Sequence, residues 1–237
     1  MTGEPFRIAR MGRISYDAAL DLQTELRAQR QRGEIEDTIL LLEHPHVITL
    51  GRGADADNIV AERSRLDALE IPVRRVNRGG DVTYHGPGQL VGYWIVSLSR
   101  WNDDVGRFVS AIEETIIRAL EALGIKGERI PKFTGVWCDV PWSGDREKIA
   151  SIGVGISRSV SYHGFALNVT TDLSYFDTII PCALVDKRMT SMARLLDRDL
   201  SIEEAENAIV EVLPEVLGGP LLKDERVKDP GVLRQRR

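Results

Sequence analysis

Residues 77–93 read Asn77-Arg-Gly-Gly-Asp-Val-Thr-Tyr-His-Gly-Pro-Gly-Gln-Leu-Val-Gly-Tyr93. Five of these seventeen residues are glycine, yet apolar and aromatic side chains recur among the polar ones. This mixture is typical of two strands joined by a tight turn, and Gly86-Pro-Gly88 predicts the turn. We therefore expect a hairpin with His85 beside its turn. Taken alone, the pattern favours a plain hairpin with a surface histidine, so a functional interpretation needs residues from elsewhere in the chain.

The composition is that of a globular protein. Of 237 residues, 43% are hydrophobic and 28% are charged, which gives enough apolar content for a substantial core. The net charge of −5 argues against general binding to nucleic acid. No apolar run approaches the ~20 residues that span a bilayer, and the first residues lack the layout of a signal peptide. Because Cys138 and Cys182 are the only cysteines, we expect no disulfide framework and a cytoplasmic location.

Two small basic clusters are candidate contact sites for an acidic protein partner. Arg74, Arg75 and Arg78 form one cluster, and Lys187 with Arg188 forms the other. Each is equally consistent with an ordinary solvated face.

Capping residues and apolar stripes predict four helices, which cover residues 15–31, 62–69, 105–123 and 201–217. The expected N-caps are Ser15, Asn102 or Asp103, and Ser201, the last in a capping box with Glu204. Gly124 is expected to end the third helix. Pro214 is expected to bend the fourth helix or to end it early.

Strands dominate the middle of the chain. They are predicted over residues 6–10, 38–43, 47–51, 71–76, 89–98, 135–140, 148–156 and 160–169. Because helices and strands do not alternate strictly, we predict the α+β class, with a mixed, largely antiparallel central sheet flanked by helices. We expect residues 1–220 to form a single domain and the charged residues 221–237 to be a loosely ordered tail.

Cys182 and Lys148 are the candidate reactive residues. A thiol with its free pKa of ~8.5 is mostly protonated at neutral pH and needs a nearby base or cation to become a nucleophile. Lys148 begins an apolar strand, where desolvation favours the neutral amine and suits the lysine to pair with a thiolate or to move protons. The alternatives are a small buried cysteine and a lysine that extends to solvent at a strand end.

The remaining motifs define what the chain lacks and what it leaves open. His44 and His46 lie one residue apart, but no third ligand is nearby, so we predict no metal site. Phosphate-binding, dinucleotide-binding and serine-nucleophile motifs are absent from the sequence. The glycines at 79–80, 86–88 and 153–155, with Gly164, either line a slot for an extended apolar group or mark close packing of strands.

Several of these segments together resemble the lipoyl(octanoyl) transferases of lipoate biosynthesis. The matching segments, in order between about residues 36 and 192, are Glu43-His-Pro, Thr49-Leu-Gly51, Arg78 to Tyr93, Lys148-Ile-Ala-Ser-Ile-Gly153, His163-Gly-Phe-Ala-Leu-Asn168 and Pro181-Cys182. Each short motif is weak alone, whereas the long central motif with the downstream lysine and cysteine is specific.

The resemblance implies the fold of the biotin and lipoate protein ligases. It also implies transfer of an octanoyl group from acyl carrier protein to a lysine of lipoyl domains, those of the 2-oxoacid dehydrogenase complexes and of the glycine cleavage H protein. Cys182 would carry the acyl group as a thioester, and Lys148 would lower its pKa and shuttle protons. The implied substrate-binding residues are Arg78, Gly79, Gly80, Asp81, Val82, Thr83, Tyr84, His85, Ser151, Ile152, Gly153, Gly164, Phe165 and Ala166. Because a thioester is already activated, no cofactor is expected, and neither nucleic acid nor a membrane is an expected partner.

Two departures from the family pattern and three alternatives stay open. Ala183 follows Pro-Cys where the family usually has glycine, and Gly155 stands where many members have a larger or basic residue. An ATP-dependent lipoate or biotin ligase of the same fold would need no nucleophilic cysteine. A non-catalytic acyl-binding protein, or an amidotransferase between two lipoyl domains, would use the same cavity.

Overall fold

The computed structural model describes residues 3–142, 144–180, 188–229 and 231–234. Its strands are β1 (Phe6–Arg13), β2 (Asp37–Glu43), β3 (Val47–Leu50), β4 (Val73–Arg75), β5 (Val82–His85), β6 (Gln89–Ile95), β7 (Glu128–Ile130), β8 (Phe133–Asp139), β9 (Arg146–Ser157), β10 (Val160–Asn168) and β11 (Leu221–Arg226). Its α-helices are α1 (Tyr16–Gln31), α2 (Arg63–Ala68), α3 (Val105–Ala122), α4 (Met192–Leu196), α5 (Ile202–Leu217) and α6 (Gly231–Arg234).

Eight of the strands form one mixed sheet, in the order β11-β1-β2-β6-β10-β9-β8-β7. β11, β1 and β2 are mutually parallel, and every later neighbour in the order is antiparallel. A second sheet of three strands, β4-β3-β5, lies outside it. The predicted α+β class with a mixed, largely antiparallel central sheet is therefore confirmed.

The central sheet is covered by helices on both faces. Successive residues of a strand point to opposite faces, and β2 is apolar at almost every position because both of its faces are buried. Ile39 and Leu41 belong to the core cluster that includes α3 and α5 residues. Leu40 and Leu42 belong to the cluster that includes α1 residues. This double burial explains why β2 shows an unbroken apolar run rather than an alternating pattern.

The helix ends follow the predicted chemistry, with two differences. Ser15 caps α1, and Ser201 with Glu204 forms the capping box of α5. The cap of α3 is Asp104, because Asn102 and Asp103 both adopt left-handed backbone angles that turn the chain before the helix. The expectation that Pro214 bends or ends α5 early differs from the structure in length. α5 continues through this residue to Leu217, because a proline this close to the helix end removes only one of the last backbone hydrogen bonds.

The hairpin predicted for residues 77–93 is wrong, although both of its strands exist. β5 pairs with β3 in the small sheet, whereas β6 pairs with β2 and β10 in the large one. Gly86-Pro-Gly88 therefore passes the chain from one sheet to the other. The backbone N–H of Gly88 donates to Glu43 Oε1, and its carbonyl accepts from the N–H groups of Val169 and Thr170. These contacts fix the turn against the large sheet, where the entirely buried β6 replaces a surface strand.

The hairpin of β9 and β10 is as predicted. Ser157 pairs with Val160, and the two loop residues Arg158 and Ser159 have φ values of 48° and 57°. Two successive positive φ values are those of a type I′ turn, whose twist matches that of paired antiparallel strands.

The segment predicted to be a loosely ordered tail contains regular structure where it is described. β11 pairs in parallel with β1 at the edge of the large sheet, and Val227 and Leu233 are buried against the α1 side of the core. Hydrogen bonding to β1 and apolar burial outweigh the high charge of this segment. Among the described residues, no helix has the length and apolar character needed to cross a bilayer.

Candidate active site

A cavity of about 470 Å³ opens between the two sheets. Its walls come from β6, β9 and β10 of the large sheet, the 78–83 segment that leads into β5, and the 132–134 and 188–189 segments. Tyr16 of α1 closes it at one end, and Val109 of α3 contributes to the lining. Its surface is mainly apolar, as expected for a cavity that binds an apolar ligand.

The structure brings most of the predicted site residues together around this cavity. Lys148 lines it, as do all the predicted substrate-binding residues except Tyr84. The Tyr84 hydroxyl lies 2.7 Å from His46 Nδ1, and its ring stacks on Tyr175, so this side chain belongs to the core of the small sheet. Cys182, Ala183 and Lys187 lie outside the described residues. The roles of all these residues in binding and catalysis stay predictions.

Glycines allow the 78–81 segment to lie directly against β9. The Gly79 N–H donates to the Val154 carbonyl at 2.8 Å. A Cβ at Gly153 would lie 2.9 Å from the Gly79 carbonyl oxygen, which is closer than real Cβ contacts allow. Gly155 is covered by the Tyr162 ring, which a larger side chain there would displace. At these positions the glycines serve close packing, and that packing forms a wall of the cavity.

Arg78 holds the loop that forms this wall. Its guanidinium donates to the Thr49 carbonyl at 2.7 Å, to Thr49 Oγ1 at 2.9 Å and to the Gly79 carbonyl at 3.0 Å. Because Arg78 is only 7% exposed, the predicted surface cluster of Arg74, Arg75 and Arg78 is wrong for this residue. Arg74 is exposed and pairs with Asp17 of α1. Arg188 of the second cluster is exposed and lines the cavity.

Lys148 lies at the end of the cavity next to β8. It is 5% exposed, and its Nζ donates to the Thr134 carbonyl at 2.9 Å and lies 4.9 Å from the centre of the Trp137 ring. Its backbone N–H donates to the Arg188 carbonyl, and its carbonyl accepts from the Thr190 N–H. Lys148 is therefore buried and held at both its side chain and its backbone, unlike a lysine that extends to solvent.

The opposite end of the cavity is built from rings. Tyr16, His85, Tyr93 and His163 line it, and all four are buried. His44 lies behind them, with its ring centre 5.2 Å from that of Tyr16 and 5.9 Å from that of His85. His44 Nδ1 donates to the Ile14 carbonyl at 2.7 Å, so the neutral ring accepts a hydrogen bond from the Tyr93 hydroxyl at Nε2.

The imidazoles at this end are neutral. Burial lowers the pKa of His44 to about 4. Burial, together with the charges of Arg78 and Arg27, lowers the pKa of His163 to about 3. Burial and the neighbouring His44 and Arg78 also hold the pKa of His85 well below its ordinary value. Burial raises the pKa of Tyr16 to about 12. This end of the cavity therefore offers ring surfaces and neutral polar groups.

His163 has an unusual backbone. Its φ is 60°, in the left-handed region that non-glycine residues rarely adopt, and its N–H donates to Gln23 Oε1 of α1 at 2.8 Å. Neither of its ring nitrogens has a hydrogen-bond partner among the described residues. The analysis of the sequence missed this residue as part of the site, along with Tyr16, Tyr93 and Trp137. The signal for His163 was its position directly before Gly164 in a quoted motif.

The two histidines considered for a metal have separate partners. His44 bonds with Ile14 and Tyr93, and His46 with Tyr84. Within the described ranges, no group of three or more His, Cys, Asp or Glu side chains lies close enough to hold a metal ion.

This fold and site belong to a known class. The model of the lipoyl protein ligase A/B catalytic domain family matches residues 15–214. The structure is similar to that of the archaeal bipartite lipoate protein ligase from Thermoplasma acidophilum, with a TM-score of 0.73 over 99% of this chain and 90% of the other, at 18% identity. The chain therefore belongs to the lipoyl protein ligase A/B catalytic domain family, and the predicted fold is confirmed.

Curated relatives narrow the assignment within that family. An octanoyltransferase of Solibacter usitatus is 54% identical over 79% of this chain and 82% of its own length. One of Chloroflexus aurantiacus is 46% identical over 87% of this chain and 91% of its own. These matches place the chain among the octanoyltransferases, and the resemblance inferred from its motifs is confirmed.

Proposed function

We propose that the protein transfers an octanoyl group from octanoyl-acyl carrier protein to a lysine of lipoyl domains, through an acyl-thioester on Cys182. The observation that carries this proposal is the buried amine of Lys148 at one end of a mainly apolar cavity, in a chain of this family. An apolar cavity suits an acyl chain, and a buried amine suits proton transfer with a thiol.

The reaction has two balanced steps. In the first, the Cys182 thiolate attacks the thioester carbonyl, the carbon–sulfur bond to the carrier breaks, and the carrier leaves as its thiol after taking the proton from Lys148. In the second, the neutral amine of the acceptor lysine attacks the acyl-enzyme, Lys148 takes the amine proton, and the Cys182 thiolate is released. An oxyanion forms in both steps and needs hydrogen-bond donors. No ATP is consumed, because one thioester replaces another before the amide forms.

The chain connection supports the pairing of Lys148 with Cys182. Arg188 follows Cys182 by six residues in the sequence. The Arg188 carbonyl accepts the Lys148 backbone N–H, and Met189 forms a parallel bridge with Lys148. The described segment that follows the proposed nucleophile therefore lies beside the proposed proton carrier.

The inner end of the cavity suits the tail of the acyl chain. The rings of Tyr16, Tyr93, His85 and His163 are uncharged and close the cavity, so a chain entering from the Lys148 end would meet no ion there. Lys132 and Arg188 are exposed at the other end. We propose that these two cations steer acidic regions of the carrier protein and of the lipoyl domains, those of 2-oxoacid dehydrogenase complexes and of the glycine cleavage H protein. A reducing cytoplasm would keep the Cys182 thiol free.

The test is intact-protein mass spectrometry after mixing the protein with octanoyl-acyl carrier protein in the absence of ATP. We expect an octanoyl adduct on the wild type, none on Cys182→Ser, and loss of the adduct when a lipoyl domain is added, with a matching mass gain on that domain. An adduct that persists on Cys182→Ser would refute the nucleophile. Transfer that requires octanoic acid and ATP, without an adduct, would indicate an ATP-dependent ligase instead.

A further inference from the structure

A carboxylate on α3 lies one peptide unit away from the Lys148 amine. Glu113 is 8% exposed, and its Oε1 accepts the backbone N–H of Gly135 at 3.0 Å. The carbonyl of the same peptide unit, that of Thr134, accepts the Lys148 Nζ at 2.9 Å. A trans peptide is planar, with its N–H and C=O pointing in opposite directions. One peptide therefore stands between a carboxylate and an ammonium, with a hydrogen bond to each.

Local geometry makes this arrangement depend on Glu113. Val136 pairs with Ala150 and Trp137 pairs with Lys148, so Ile149 is an extra residue and forms a β-bulge next to the lysine. Gly135 has a φ of 123°, and a Cβ there would lie 3.1 Å from Lys148 Cε and 2.5 Å from the Ala150 carbonyl oxygen. The Gly135 N–H donates to the carboxylate of Glu113 instead of to a neighbouring strand. Glu113 thus fixes the orientation of the Thr134–Gly135 peptide where the regular pairing of strands is interrupted.

We propose that Glu113 is a positioning residue for Lys148, which acts through the Thr134–Gly135 peptide. The inference rests on the proposed function, in which Lys148 activates Cys182. A hydrogen bond from the N–H to a charged carboxylate polarises the peptide and makes its carbonyl a stronger acceptor. The ammonium is held in one place and in its charged form, which is the form that favours the thiolate.

Glu114, the next residue of the same helix, supplies a matched control. Both carboxylates bind Arg129, Glu113 through Nε at 3.1 Å and Glu114 through Nη2 at 2.8 Å. Arg129 is 40% exposed at its side chain, so neither ion pair alone contributes much to stability. Only Glu113 contacts the peptide that holds Lys148. Glu114→Gln removes an ion pair with the same arginine and leaves that peptide untouched.

The experiment measures the rate of acyl-enzyme formation from octanoyl-acyl carrier protein against pH, in the full-length wild type and in Glu113→Gln and Glu114→Gln. We expect Glu113→Gln to move the rise of the rate about one pH unit upward and to lower the rate at pH 7 about tenfold, because the pKa of the Cys182 thiol returns toward its ordinary value. Glu114→Gln should stay within about twofold of the wild type at every pH, since a surface ion pair is worth little.

A double-mutant comparison separates this inference from the proposed function. If Glu113 acts through Lys148, adding Glu113→Gln to Lys148→Ala causes no further loss of rate. A further tenfold loss in that background, or a Glu113→Gln profile equal to that of Glu114→Gln, overturns the role of Glu113 alone. A fully active Lys148→Ala instead overturns the part of the proposed function on which the inference rests.

A second variant covers a Glu113→Gln protein that does not fold. Glu113→Asp keeps the charge but withdraws the carboxylate from the Gly135 N–H by one methylene, so we expect the same direction of pH shift. An unchanged pH profile for a folded Glu113→Asp overturns the proposal.

Discussion

The two ends of the cavity are stabilised in opposite ways. At the Lys148 end, the polar group is an amine with a carbonyl and an aromatic ring against it and a carboxylate one peptide behind. At the other end, burial and the charge of Arg78 keep the histidines neutral, and His163 has no partner for its ring among the described residues. A cavity that is polar at both ends therefore holds its charge at one end only. We propose the chemistry at the charged end and the acyl tail at the neutral end.

The largest effect is expected from removing the amine. Lys148→Ala should reduce octanoyl transfer by about 10²–10⁴-fold, the usual contribution of a proton-transfer group, with little change in melting temperature. Octanoylation of a lipoyl domain, followed by mass spectrometry, measures it. Lys132→Ala is the control, because Lys132 is an exposed lysine on the same cavity. A collapsed melting temperature with normal activity per folded molecule would make Lys148 a structural residue.

The space beside the amine gives the next effect. Gly135→Ala places a methyl group 3.1 Å from Lys148 Cε at a φ of 123°, so we expect a loss of stability of about 3 kcal/mol from strain and crowding together, measured by denaturant unfolding.

Gly124→Ala is the matched control for that substitution. Gly124 also has a positive φ, 84°, but a Cβ there meets nothing within 4 Å. The backbone cost alone should be about 1 kcal/mol. Equal losses for the two variants would show that the space next to Lys148 is not tightly filled.

The same contrast shows how far the sequence reaches. Local chemistry predicted the caps at Ser15 and Ser201 and the hairpin of β9 and β10, because each depends on residues a few positions apart. The change of sheet at Gly86-Pro-Gly88 could not be predicted, because a turn signal does not specify which strands pair. Motifs brought Lys148 and the glycine segments to one cavity. Glu113 escaped notice, since it lies in an amphipathic stripe and its role depends on a contact across twenty-two positions.

The neutral end should make the protein sensitive to acid. A histidine whose pKa is lower in the folded state binds its proton preferentially in the unfolded state, so stability falls as the pH drops below the unfolded value of about 6.5. For His163, with a folded pKa of about 3, the loss between pH 7 and pH 5 is about 2 kcal/mol. Urea unfolding at the two pH values measures this change, to which His44 adds in the same direction because its pKa is lowered to about 4.

His163→Asn isolates the contribution of one ring. Asparagine accepts the left-handed backbone of this position and does not titrate. We expect the difference in unfolding free energy between pH 7 and pH 5 to shrink by about 2 kcal/mol in this variant. An unchanged difference would mean that His163 is charged in the folded protein at pH 5, and the contrast between the two ends would fail.

The smallest effect concerns a single hydroxyl behind the neutral end. Tyr93→Phe removes the hydrogen bond to His44 Nε2 and leaves that buried acceptor unpaired, at a cost of about 1 kcal/mol. Tyr162→Phe is the control, because its hydroxyl donates to the Asn77 carbonyl in an exposed position where water replaces it. Thermal unfolding at pH 7 compares the two variants. Since the pair is buried in one case and hydrated in the other, equal losses would imply that water enters the neutral end and satisfies His44, and the ring cluster would then be a solvated pocket rather than a dry one.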